Sequence, residues 1–174
     1  MFINQINHTL AALAIIGQAF IVVSLVYLIF FRQRQLKFFK FVANQALPLS
    51  FAVALIATLG SLYYSEIAGF NPCKLCWFQR VLIYPQVILF GLAWWKKDNH
   101  AVDYGLAMVA VGTLVSLYHN YIYYSAQPSN ICSIAEPCAQ QYILGFGYVT
   151  IPMLALTALL LTGVLLIFKK VAKD

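Results

Sequence analysis

Charge is what this chain has least of. Only 9% of its 174 residues are Asp, Glu, Lys or Arg, and five are acidic. A soluble domain averages roughly 25% charged residues, so an ordinary water-soluble domain is excluded. A disordered chain, which needs high charge and few apolar residues, is excluded as well. Cysteine is sparse too, at four residues, and none lies inside a long apolar run. The basic residues form no stripe or extended face, which argues against a nucleic-acid surface despite a net charge of +6. No Lys or Arg stands in Met1–Thr9, so the first apolar run lacks the basic n-region of a cleaved signal peptide and reads as a permanent helix. What the chain has in abundance is apolar residues, at 63%.

Five apolar runs approach or exceed the span of about 20 residues that crosses a bilayer: residues 10–31, 47–64, 77–95, 104–124 and 143–168. In hydrocarbon every backbone polar group must be satisfied within the segment, so these runs predict helices, and the alternation of a closed barrel is missing. The predicted fold is all-α, a polytopic membrane helical bundle. Nine of the eleven basic residues follow spans one, three and five: Arg32, Arg34, Lys37, Lys40, Lys96, Lys97, Lys169, Lys170 and Lys173. The positive-inside rule puts that side in the cytoplasm and the N-terminus outside.

The four cysteines fall in two connections, Cys73 and Cys76 between spans two and three, Cys132 and Cys138 between spans four and five. Connections separated by two spans face the same compartment, so all four sulfurs share one side. By the charge argument that is the outside, where disulfides persist. Cys73 and Cys76 form a C-x-x-C leading directly into an apolar helix, where free N–H groups and the helix dipole favour a thiolate. Lys74 adds positive charge nearby. Thiolates attack disulfides and quinones, so this placement points to redox exchange. The second pair lies in a polar loop containing Pro128 and Pro137. Four cysteines allow three pairings, and all three stay open at this level.

Arg80 follows Cys76 by four residues, on the same helix face about one turn deeper. A guanidinium there can donate to a quinone carbonyl and stabilise developing negative charge, although an arginine near a membrane edge can also simply snorkel. Gln79 is a weaker polar candidate that can equally bond a neighbouring helix, as can Gln86. His119, near the end of span four, can donate to the same carbonyl or carry a proton.

The string NPCKLCWFQR from Asn71 to Arg80, Tyr84-Pro85 within the same span, Tyr118-His119, the Cys132/Cys138 loop and Thr150 to Met153 together resemble the disulfide-bond formation protein B (DsbB) family, closest to its short BdbC-type branch. The resemblance implies a four-helix core over residues 41–174, preceded at 1–40 by an additional transmembrane helix and a basic cytoplasmic loop. It implies a thiol:quinone oxidoreductase of the bacterial cytoplasmic membrane that reoxidises a DsbA-like thioredoxin-fold thiol oxidase and reduces ubiquinone or menaquinone. By position, Cys132 is then the sulfur attacked by the partner, Cys138 resolves or exchanges with Cys73, and Cys76 is the thiolate beside the quinone. Arg80 binds or polarises the quinone, and His119 is a secondary residue of that site. Two features depart from the family: the extra first span, and only five residues between Cys132 and Cys138 where longer members separate the pair widely. A vitamin K epoxide reductase-like enzyme is disfavoured because its C-x-x-C comes late in the chain. Competing classes are a metal-binding protein using the thiolates as soft ligands and a structural subunit braced by outer-loop disulfides.

Overall fold

The structure, a computed structural model, describes residues 2–30, 37–125, 143–145 and 148–172. In chain order it contains α1 (Phe2–Phe30), α2 (Lys37–Asn44), α3 (Ala46–Leu62), α4 (Lys74–Lys96), α5 (Ala101–Ser125), β1 (Ile143–Gly145), β2 (Val149–Thr150) and α6 (Ile151–Val171). All but α2 among the helices are long and apolar enough to cross a bilayer. The protein is thus a multi-pass helical bundle, as its apolar runs predict.

Helix ends follow local chemistry. α3 widens into a π-helical turn at Tyr63–Ile67 and stops before Gly69, whose φ of +70° suits glycine. α4 ends where Lys97 turns left-handed and the Asp98 N–H bonds back to the Ala93 carbonyl at 2.9 Å. The last helix starts at Ile151, not at residue 143 as hydropathy predicts. Residues before it form a small antiparallel hairpin, with Ile143 opposite Thr150. Thr150 then caps α6 by accepting the Met153 N–H at 3.3 Å, and Pro152 occupies the first turn, where it has no hydrogen bond to lose. Apolar hairpin residues raise hydropathy as a helix would, so the run alone hides the boundary.

α3, α4, α5 and α6 form the bundle, with α3 and α5 each packed on both α4 and α6. At the end away from Cys73 the packing is dry: Phe90, Leu166 and Leu159 are almost completely buried. Two glycines of α5 permit this closeness. A Cβ at Gly105 would lie 2.6 Å from the Phe90 ring, and one at Gly112 would lie 2.9 Å from Leu159. α2 closes the same end, where its Phe39 stacks on Tyr27 at 3.6 Å between ring centres and tilts against Phe168. α1 runs along the outside of α6.

Candidate functional site

Cys73 is the residue that caps α4, held extended at φ −68°, ψ 170°. The first turn of the helix brings Cys76 back over it, with the two sulfurs in hydrogen-bond contact at 3.2 Å. Both are free thiols here. Cys73 is buried, with Leu75 and Ile122 around it. His119 on α5 places Nε2 3.7 Å from Cys73 Sγ. The thiol donated by Cys76, with the His119 imidazole as a second partner, holds Cys73 well below the ordinary thiol range. His119 is 2% exposed, and its Nδ1 has no hydrogen-bond partner among the described residues. One donor atom each from Cys73, Cys76 and His119 lie within 4.8 Å of one another. Two thiolates and an imidazole form a soft donor set of the kind that holds zinc, which would still need a fourth ligand.

Arg80 lies one turn further along α4 and is 9% exposed. A guanidinium in an apolar bundle needs partners. Its Nε–H donates to Ser61 Oγ at 2.9 Å and its Nη2–H to the Ser61 carbonyl at 3.1 Å. Tyr84 also donates to Ser61 Oγ, at 3.2 Å, and the Trp77 ring lies 5.1 Å from the guanidinium carbon. Two of the five guanidinium N–H donors are therefore spent on one serine of α3. Gln79 donates to Ser116 Oγ at 2.9 Å and so ties α4 to α5. Gln86 donates to the Leu82 carbonyl of its own helix. Asn120 joins α5 to the start of α6 by donating to the Pro152 carbonyl at 3.1 Å.

Cys73, Cys76, Arg80 and His119 all line one cavity of about 490 Å³, and Gln79 borders it as well. Its other lining residues are mostly apolar side chains of α1, α3 and α6, reaching Leu49 and Leu165 towards the far end of the bundle. That volume is in the usual range for small-molecule sites, about 300–1,000 Å³. The structure thus gathers Cys73, Cys76, Gln79, Arg80 and His119 at one site. Gln86 is not among the lining residues, and Cys132 and Cys138 lie outside the described residues. Ser61, Ser116 and Asn120 are absent from the sequence-based set. Their signal is faint, a polar residue at an unremarkable place in an apolar run.

The profile of the family described as disulfide bond formation protein DsbB matches residues 43–169. Disulfide bond formation protein C of Bacillus subtilis is 46% identical over 114 residues, covering 64% of this chain and 83% of that relative. A probable disulfide formation protein of Oceanobacillus iheyensis is 40% identical over 126 residues, covering 71% of this chain and 87% of its own length. One from Coxiella burnetii is 39% identical over 132 residues, covering 74% and 90%. No solved structure matches the chain. All of α1 precedes the matched family region. With the site and the fold in agreement, the chain belongs to the DsbB family of disulfide bond formation proteins, as a multi-pass membrane oxidoreductase of disulfide formation.

Proposed function

We propose that the protein passes electrons from a reduced thioredoxin-fold thiol oxidase, through its two cysteine pairs, to a membrane quinone in the bacterial cytoplasmic membrane. The observation that carries this reading is the convergence of a thiol pair, a buried arginine and a buried histidine on one end of an apolar cavity. Such a cavity suits a ligand with a polar head and an apolar body, and the donor set suits quinone carbonyls. The excess of basic residues after spans one, three and five supports an orientation with the cysteine loops outside.

The residues then divide the work. A thiolate of the partner attacks Cys132, the Cys132–Cys138 bond breaks, and a mixed disulfide forms. The partner's second thiolate releases its own disulfide and leaves Cys132 and Cys138 reduced. Those thiols exchange with a Cys73–Cys76 disulfide, so the same two electrons arrive on Cys73 and Cys76. A bound quinone supplies the final acceptor, taking two electrons and two protons to become a quinol. Cys76 faces the acceptor, Arg80 donates to its carbonyl and favours negative charge there, and His119 carries a proton at Nδ1, its unpartnered nitrogen. Gln79 acts mainly by holding α4 on α5.

Quinone reduction by the purified protein in detergent, supplied with a reduced thioredoxin-fold dithiol, tests this. Wild type should turn over with ubiquinone or menaquinone analogues, and Cys76→Ser and Cys132→Ser should each fall to background. Folded wild-type protein that reduces neither quinone would sink the reading. One observation favours a second function, the Cys73, Cys76 and His119 donor set. A stoichiometric zinc ion in the reduced protein, coupled with no quinone turnover, would establish a metal site in its place.

A further inference from the structure

We infer that α1, the helix outside the family match, is the lateral wall of the cavity and selects the apolar tail of the quinone. This rests on the quinone reading above. Among the transmembrane helices, α1 is apolar on nearly every side, as a plain lipid anchor would be, yet it is fixed to the bundle at two heights. Near the cysteine end, Tyr64 donates to Asn7 Oδ1 at 2.9 Å. Further along, Gln18 donates to Thr157 Oγ1 at 3.1 Å and accepts from the Tyr148 hydroxyl at 3.1 Å. Polar ties of this kind lock helix rotation in an apolar medium, where shape alone discriminates poorly.

The rotation they lock turns a particular face inward. Leu10, Leu13, Ala14, Gly17 and Phe20 recur at helical spacing and all line the cavity. α1 and α3 both rest on α6, and the cavity occupies the space between them. Leu10 closes over Gly60 of α3, where an added Cβ would come 3.7 Å from its side chain. Ala14 and Gly17 are the small residues that let α1 rest closely on its neighbours: Ala14 is buried in a cluster with Val149 and Leu154, and a Cβ at Gly17 would come 3.3 Å from Thr157. Leu13, about half exposed, is the larger side chain that borders the open space. Along α6 the lining runs from Ile151 to Leu165, about 21 Å at the helical rise. Without α1 this space would be a groove facing lipid.

The difference matters energetically. In an open groove a ligand's tail competes with acyl chains of equal apolarity and gains little. With α1 in place the tail gains dispersion contacts from α1 as well as from α3 and α6, and apolar lining left without contacts forfeits that attraction. The girth that fits is then set by α1 side chains. The polar end, with Arg80 and the buried Nδ1 of His119, orients the occupant with its ring toward the cysteines.

The test uses the full chain. Leu13→Trp enlarges a half-exposed lining side chain of α1 away from the redox pair, and Leu13→Phe is a milder version should the larger side chain impair folding. Two quinones of identical ring are compared, one with an isoprenoid tail and one without. The expected result is a KM for the tailed quinone raised about tenfold or more, with that for the tail-less quinone changed less than about twofold. Quinone extracted with the purified variant should fall in parallel. In wild type, an isoprenoid quinone carrying a photoreactive group on its tail should label the α1 peptide, with excess unlabelled quinone suppressing the label. Equal KM changes for both quinones, or label on α3 and α6 with none on α1, would overturn the inference while leaving quinone reduction intact. Wild-type protein that reduces neither quinone would overturn the underlying reading instead.

Discussion

At the cysteine end the helices meet through hydrogen bonds, Arg80 and Tyr84 to Ser61, Gln79 to Ser116, Asn120 to the Pro152 carbonyl. At the opposite end the same helices meet through Phe90, Leu159, Leu166 and the glycines that let them close. Each interhelical hydrogen bond in a membrane contributes little net stability, about 0.6 kcal/mol on average. Close packing of large side chains contributes several times that per residue. The two ends therefore divide stability from positioning: the dry end holds the bundle, and the polar end holds particular atoms at particular places around a cavity.

Arg80 should show this division most strongly. Its hydrogen bonds go to Ser61 and its ring contact to Trp77, both at the cysteine end, so Arg80→Ala should leave thermal unfolding in detergent nearly unchanged. Loss of a charged hydrogen-bond donor removes about 1.5–3 kcal/mol, which corresponds to roughly a 10- to 150-fold rise in quinone KM. Arg80→Lys keeps the charge but lacks the planar fork that spans Ser61 Oγ and its carbonyl, and should recover only part. A large loss of thermal stability with an unchanged KM would assign Arg80 to structure.

Gly105 supplies the converse. Its added Cβ would stand 2.6 Å from Phe90 and 3.0 Å from Leu166, both fully or nearly fully buried. Gly105→Ala should destabilise by about 1–3 kcal/mol through overpacking, read as a lower unfolding temperature. Quinone KM should stay the same, because the cavity lining does not include this residue. A selective rise in KM would mean that the two ends are mechanically coupled.

The division also explains what a sequence can disclose here. Five helices follow from run length and from the demand that backbone groups be satisfied in hydrocarbon, and Cys73 at the start of α4 follows from a C-x-x-C standing directly before an apolar run. Arg80 one turn beyond Cys76 follows from helical spacing along a single element. Helix rotation is harder. α1 and α4 are apolar on most sides, and such a helix carries no amphipathic stripe to say which face packs inward. That is why Ser61 as the partner of Arg80, His119 as the neighbour of Cys73, and α1 as a cavity wall all emerge only with the bundle assembled. The start of α6 at Ile151 was hidden for a related reason, since the hairpin before it is apolar and capping by Thr150 is a matter of three atoms.

The smallest expected effect concerns His119. Two groups lower the pKa of Cys73, and donation from Cys76 outweighs the contribution of the imidazole. His119→Ala should therefore raise that pKa only part of the way toward the free-thiol value of about 8.5. The sign for stability follows from the lowered value: the reduced protein gains stability from the Cys73 thiolate above the unfolded-state pKa. It loses that stability as pH falls through the folded-state one. In a Cys132→Ser, Cys138→Ser background, where Cys73 and Cys76 are the remaining thiols, ultraviolet thiolate absorbance of the reduced protein should fade at lower pH with His119 than with alanine. The acid-side loss of stability should move upward in pH by the same interval. Coincident titrations would show that Cys76 alone sets the thiolate, leaving His119 a role only toward the cavity.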